Sequence, residues 1–161
     1  MTSIRDIMLI GITLFAIGIS LFYTVDIGQK VNNKLLNMSI FNTSTTASSA
    51  IIHSQQAINS TDYMYFAGFI GFFIAVIVFG YLVGGNPLFA PIYFFVLVII
   101  VFICVILQLA WGDISSTPEI LSLLGTLPLT NFVLSNLGTL MAVMGLTGMF
   151  VMFSKPEEQN F

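Results

Sequence analysis

Charge is what this chain has least of. Four basic and seven acidic residues make up 7% of its 161 positions, against about 25% in an ordinary soluble domain. So few charges cannot dress a folded surface for water, which excludes a soluble globular domain and leaves a bilayer as the missing solvent. The formal net charge of −3, without a basic run, excludes nucleic-acid binding through a basic patch. The lone cysteine, Cys104, excludes an intramolecular disulfide and sits in an apolar run, where an inert buried thiol is expected. The lone histidine, His53, has no cysteine or carboxylate pair at metal-ligand spacing, so a surface role is expected, and neither a metal site nor a two-histidine haem site. P-loop, glycine-rich dinucleotide signature and nucleophile with its base are all missing, so no catalytic, cofactor-binding or metal-binding residue is assigned.

What the chain has in abundance is apolar surface: 57% of it is hydrophobic, 14% aromatic, and the mean hydropathy is +1.02. A spanning helix needs roughly 20 mostly apolar residues, because each residue rises about 1.5 Å through a hydrocarbon core of about 30 Å. Segments 7–23, 65–83, 89–111 and 132–153 meet that test, and none contains Asp, Glu, Lys, Arg or His. The expected architecture is therefore all-α, a single membrane domain of four transmembrane helices. Tyr23, Tyr63, Tyr65, Tyr81 and Trp111 fall near the ends of these segments, as an interfacial aromatic belt would. The first run, with Arg5 ahead of it and Ala16 and Gly18 at small-residue positions, has the outline of a signal peptide; a retained anchor is expected.

The connections carry structure of their own. "GGNP" at 84–87 predicts a tight turn that makes the second and third helices antiparallel neighbours. In the polar region 26–62, Ile27, Val31, Leu35 and Met38 recur at near-helical spacing, which predicts an amphipathic extension of the first helix. A Ser/Thr-rich break over 42–49 and a separate short helix at 51–58 are expected to follow. Sequons at Asn37, Asn42 and Asn59 match by composition in a loop this rich in Asn, Ser and Thr. Between the third and fourth segments, Thr117 at an N-cap position, Pro118, Glu119 and Gly125 predict a short interfacial helix over 118–124. Lys and Arg divide two against two between the sides, so the positive-inside rule does not orient the chain.

Ion and proton carriers place ionisable groups inside the membrane, and these spans hold none; a lone Gln108 is expected to bond a neighbouring helix. Small residues at helical spacing are the informative pattern. Gly80 and Gly84 form a GxxxG; Ala67, Gly71 and Ala75 make a second row; Ser135, Gly138, Ala142 and Gly145 share a face of the fourth segment; Gly11 and Gly18 stand seven apart. Lipid gives helices little hydrophobic reason to meet, so these positions are the expected helix-packing sites, within the chain or against another chain.

Two stretches, "VGGNPLFAPIYFF" at 83–95 and "LPLTNFVLSNLGTLMAVMGLTGMFVMFSKP" at 127–156, resemble small multi-span proteins of icosahedral viruses and phages that enclose an internal lipid membrane. The resemblance implies a virion membrane protein joining lipid to capsid or vertex proteins. Three functions are open at this point. The first is a non-enzymatic structural membrane protein of a larger assembly, using 26–62 and 112–131 to contact membrane or capsid proteins or another copy of itself. The second is a holin-like pore, and the third an accessory subunit of a respiratory or transport complex.

Overall fold

The computed structural model describes residues 4–38, 45–83 and 90–154. They form six helices: α1 (Ile4–Leu36), α2 (Thr45–Val83), α3 (Ala90–Ser115), α4 (Pro118–Leu121), α5 (Pro128–Ser135) and α6 (Leu137–Phe153). Within them Gly11–Leu36, Ser48–Leu82 and Ala90–Ser115 are each long and apolar enough to cross a bilayer; α5 and α6 reach that length only together, and they are bent by 72°. The chain is an all-α, multi-pass integral membrane protein. One face of α3 states this most plainly, since Phe95, Ile99, Phe102, Ile106 and Leu109 are all more than half exposed. A continuous apolar stripe of that kind is stable against lipid and aggregates in water.

The expected continuous fourth helix over 132–153 is not what forms. Asn136 leaves the helical region (φ −123°, ψ 19°), and its side-chain amide donates to the Phe132 carbonyl oxygen at 2.9 Å, closing the end of α5. The region 26–62 also differs from a loop with a separate short helix. α1 continues to Leu36, and α2 begins at Thr45 and runs unbroken to Val83. Ser and Thr are mediocre helix formers, and the helix they begin is held by contact with α1 from Ile51 onward.

That contact follows a seven-residue repeat. Gly11, Gly18, Val25 and Asn32 are buried along α1; on α2, Ile51, Asp62, Tyr65 and Phe69 are buried, with Ile58, Phe72 and Val76 partly so. Recurrence every seven residues keeps one seam of each helix against its neighbours over many turns. At 39 residues, α2 is about 58 Å long, nearly twice a hydrocarbon core of about 30 Å. Its polar N-terminal half makes up the excess over that length and runs beside the end of α1, the pair forming a stalk at this end of the bundle.

Two stacked cores hold the bundle. The first, formed by Tyr65, Phe69, Ile100, Cys104, Val133, Leu137, Met141 and Met144, joins α2, α3, α5 and α6. The second gathers Phe22, Val25, Trp111, Ile120, Leu123, Leu127 and Leu134, closing the stalk end of the bundle with residues of α4, α5 and their linker. The predicted interfacial helix over 118–124 is one helical turn, α4, with Pro118 at its start; turns continue to Thr126. The Thr117 hydroxyl donates back to the Ile114 carbonyl oxygen at 2.8 Å instead of capping α4. The 84–87 turn lies outside the described residues.

Candidate functional site

Among the described residues, most polar side chains that bond between helices lie toward the stalk end, in three tiers. Two helix starts receive their caps from other helices. α5 begins after Leu127, which has no side-chain oxygen to offer its first amides. Asp62, 2% exposed on α2, supplies both carboxylate oxygens: Leu129 N donates to Oδ2 at 3.0 Å, and Thr130 donates to Oδ1 through N and Oγ1, each at 2.7 Å. The partial positive charge of a helix start favours a carboxylate there. α6 is started the same way, with Gly138 N donating to Gln108 Oε1 at 3.1 Å. After the break in the fourth segment, Gln108 thus gives the Gly138 amide a partner, as an irregular backbone in an apolar surround requires.

Beside them lies an aromatic tier. Trp111, 1% exposed, stacks obliquely on Phe22 with ring centroids 4.8 Å apart and donates from Nε1 to Asn131 Oδ1 at 3.0 Å. Tyr65 donates its hydroxyl to the Leu14 carbonyl oxygen at 2.9 Å. Both rings were expected in an interfacial belt; both are core instead, whereas Tyr23, Tyr63 and Tyr81 are more than half exposed.

The outermost tier is the stalk. Gly28 lets α1 and α2 close, since a Cβ there would lie 2.8 Å from Ile58 Cδ1. Beyond it Asn32, 7% exposed, donates to Ser54 Oγ at 3.4 Å and Gln55 Oε1 at 3.3 Å. A groove of about 420 Å³ opens between the helices here, lined by amides from both: Gln29, Asn32 and Asn33 on α1, and Gln55, Gln56 and Asn59 on α2. Charge on the described stalk is sparse; Lys30 pairs with Asp26 at 2.6 Å on one exposed face, and Lys34 ends α1.

The packing positions named from sequence divide clearly. A Cβ on Gly80 would lie 3.2 Å from the Gly148 carbonyl oxygen, and one on Gly138 2.5 Å from Val105 Cγ2. At Gly145 it would collide with Leu97 Cδ1. Ala142 is half-buried on α6. Gly71 faces open space, with nothing within 4 Å of such a Cβ, and Gly84 lies outside the described residues. Ser135 is separated from the Gly138 face by the break and donates to Asn131 Oδ1 at 3.1 Å. Gly11 and Gly18, seven apart, admit Cys104 Sγ and Leu134 Cδ2 at 3.1 and 2.9 Å from their would-be Cβ atoms.

Asp62 and Asn32 escaped the sequence reading, although both lie on the seven-residue seams and each is the polar member of its row. Among the described residues no group of three His, Cys, Asp or Glu side chains comes together around a common point. The chain matches no protein-family model, no curated protein and no solved structure.

Proposed function

We propose that the chain is a non-enzymatic structural membrane protein of a larger assembly, with the α1–α2 stalk and the adjoining 112–131 segment as its contact side. The observation that carries this reading is the stalk itself. At about 58 Å, α2 is longer than a hydrocarbon core of about 30 Å, and its polar part pairs with α1, closed at Gly28 and Ile58 and tied by Asn32 to Ser54 and Gln55, more than anchorage in lipid requires. The end beneath it is tied down by Asp62, Gln108 and Trp111, which favours a fixed platform. The assembly is a virion with an internal membrane, a choice that rests on the resemblance of 83–95 and 127–156, and the partners are capsid or vertex proteins or further copies of the chain.

Crosslinking mass spectrometry of the intact native particle, read from Lys30 and Lys34, tests this. Crosslinks from these stalk lysines to capsid or vertex proteins are expected. Crosslinks only to respiratory or transport subunits would move the chain to an accessory role, and none at all would remove the contact role. Dye release from liposomes carrying the protein is expected to be absent; release would favour a holin-like pore.

A further inference from the structure

We infer that the groove between the two stalk helices takes an extended, uncharged segment of a partner polypeptide and holds it by its main chain. The inference rests on the contact role proposed for the stalk and names the chemistry of the partner. Six lining side chains are primary amides, three from each helix, and among the described residues no charged or aromatic side chain lines the groove. A primary amide presents an acceptor and donors side by side, which matches the C=O and N–H of an extended chain whatever side chains that chain carries. The spacing agrees. Amides four residues apart on a helix are separated by about 6 Å of rise, and an extended chain repeats its main-chain direction every two residues, about 6.6 Å. From Gln29 to Leu36 the groove runs about 10 Å, room for three or four extended residues.

A second observation concerns how these amides are held. Asn32 to Ser54 is 3.4 Å, Asn32 to Gln55 3.3 Å, Gln55 to Asn59 3.4 Å and Gln29 to Thr126 3.5 Å. In the bundle below, Thr130 to Asp62 is 2.7 Å and Trp111 to Asn131 3.0 Å. Ordinary N–H···O bonds centre near 2.9–3.0 Å, so the groove amides are engaged at the weak limit and exchange their present partners at small cost. Leu36 and Ile52, exposed by 42% and 56%, give the rim an apolar hold on the segment's side chains. The neutral lining matches a neutral occupant. A sugar, which recognises stacking surfaces, would find no ring.

The full chain in lipid nanodiscs is panned against displayed linear, uncharged peptides, and the best binder is measured by calorimetry. Binding is expected to tolerate alanine at most peptide side chains and to fall about tenfold for each main-chain nitrogen whose methylation removes an amide pair. Asn33→Ala and Gln56→Ala, both at exposed positions, are each expected to weaken binding about five- to tenfold with unchanged melting temperature. No enriched peptide, a binder indifferent to both substitutions, or a neutral oligosaccharide competing for the groove would overturn the inference. So would disulfide formation between two copies through Ile52→Cys. Lysine crosslinks in the native particle that survive both substitutions, with no peptide bound, would leave the contact role standing and remove the groove; their absence from the unaltered protein would remove the contact role as well.

Discussion

Replacing Asp62 by alanine isolates the bond set on which the cap of the bundle depends. The carboxylate accepts from two main-chain nitrogens and one hydroxyl of α5. Thr130 is fully buried, so its amide has no water to turn to, and Leu129 N lies in a part-buried position. An orphaned buried donor costs about 1–3 kcal/mol, while the Thr130 hydroxyl can rotate. Two main-chain donors give about 4 kcal/mol, from which relief of a buried charge is subtracted. A net loss of about 2–3 kcal/mol results, above the roughly 1 kcal/mol of an exposed cap. Asp62→Asn keeps one acceptor oxygen and is expected to lose about half as much. Reversible unfolding in bicelles measures the loss, and hydrogen exchange of a peptide covering 127–135 locates it. Exchange should accelerate in α5 and its linker before the rest of the bundle opens. An alanine variant within about 0.5 kcal/mol of the parent, with unchanged exchange in α5, would refute the reasoning.

Gly138→Ala and Gly145→Ala are expected to destabilise by about 1–3 kcal/mol through overpacking, since the new Cβ meets Val105 or Leu97. Gly71→Ala, in open space, should be neutral or stabilising by up to about 1 kcal/mol; equal shifts in detergent melting would mean that the packing faces are misassigned. Trp111 is the single tryptophan and is buried, so its fluorescence should be blue-shifted and resist acrylamide, and ready quenching would contradict the aromatic tier. Cys104, 2% exposed and against Gly11, should react with maleimide only after SDS unfolding; rapid labelling of the native protein would place it elsewhere.

Membrane character was legible from composition, and three of the four segments read from sequence fall on α1, α2 and α3, with Phe89 outside the described residues, because twenty apolar residues without a charge allow few other readings. The break at Asn136 was not legible. Apolar residues flank it on both sides, hydropathy does not distinguish a straight helix from a bent pair, and the Gln108 side chain that meets the Gly138 amide just after it comes from another helix. The continuity of α2 was hidden for the opposite reason. Residues 45–49 have the composition of a loop, and only their continuity with the Ile51, Ile58 and Tyr65 seam extends the helix through them. Tyr65 and Trp111 were assigned to an interface by position, whereas partners at Leu14 and Asn131 let their polar atoms enter the core. The groove depended on knowing that Gln29 and Asn32 face Gln55 and Asn59 across two helices, a juxtaposition that spacing within either segment does not contain.

The unbroken course of α2 has a mechanical side. None of the five prolines falls within α1 or α2, so the part of α2 inside the lipid and the part outside it form one rod. Its outer portion, 45–62, is about 27 Å long, and each degree of tilt in the bilayer moves its tip sideways by about 0.5 Å on that length. Spanning helices tilt to match hydrocarbon thickness. A change of tilt in the apolar part of α2 is therefore carried along the rod to the stalk tip rather than absorbed at a hinge.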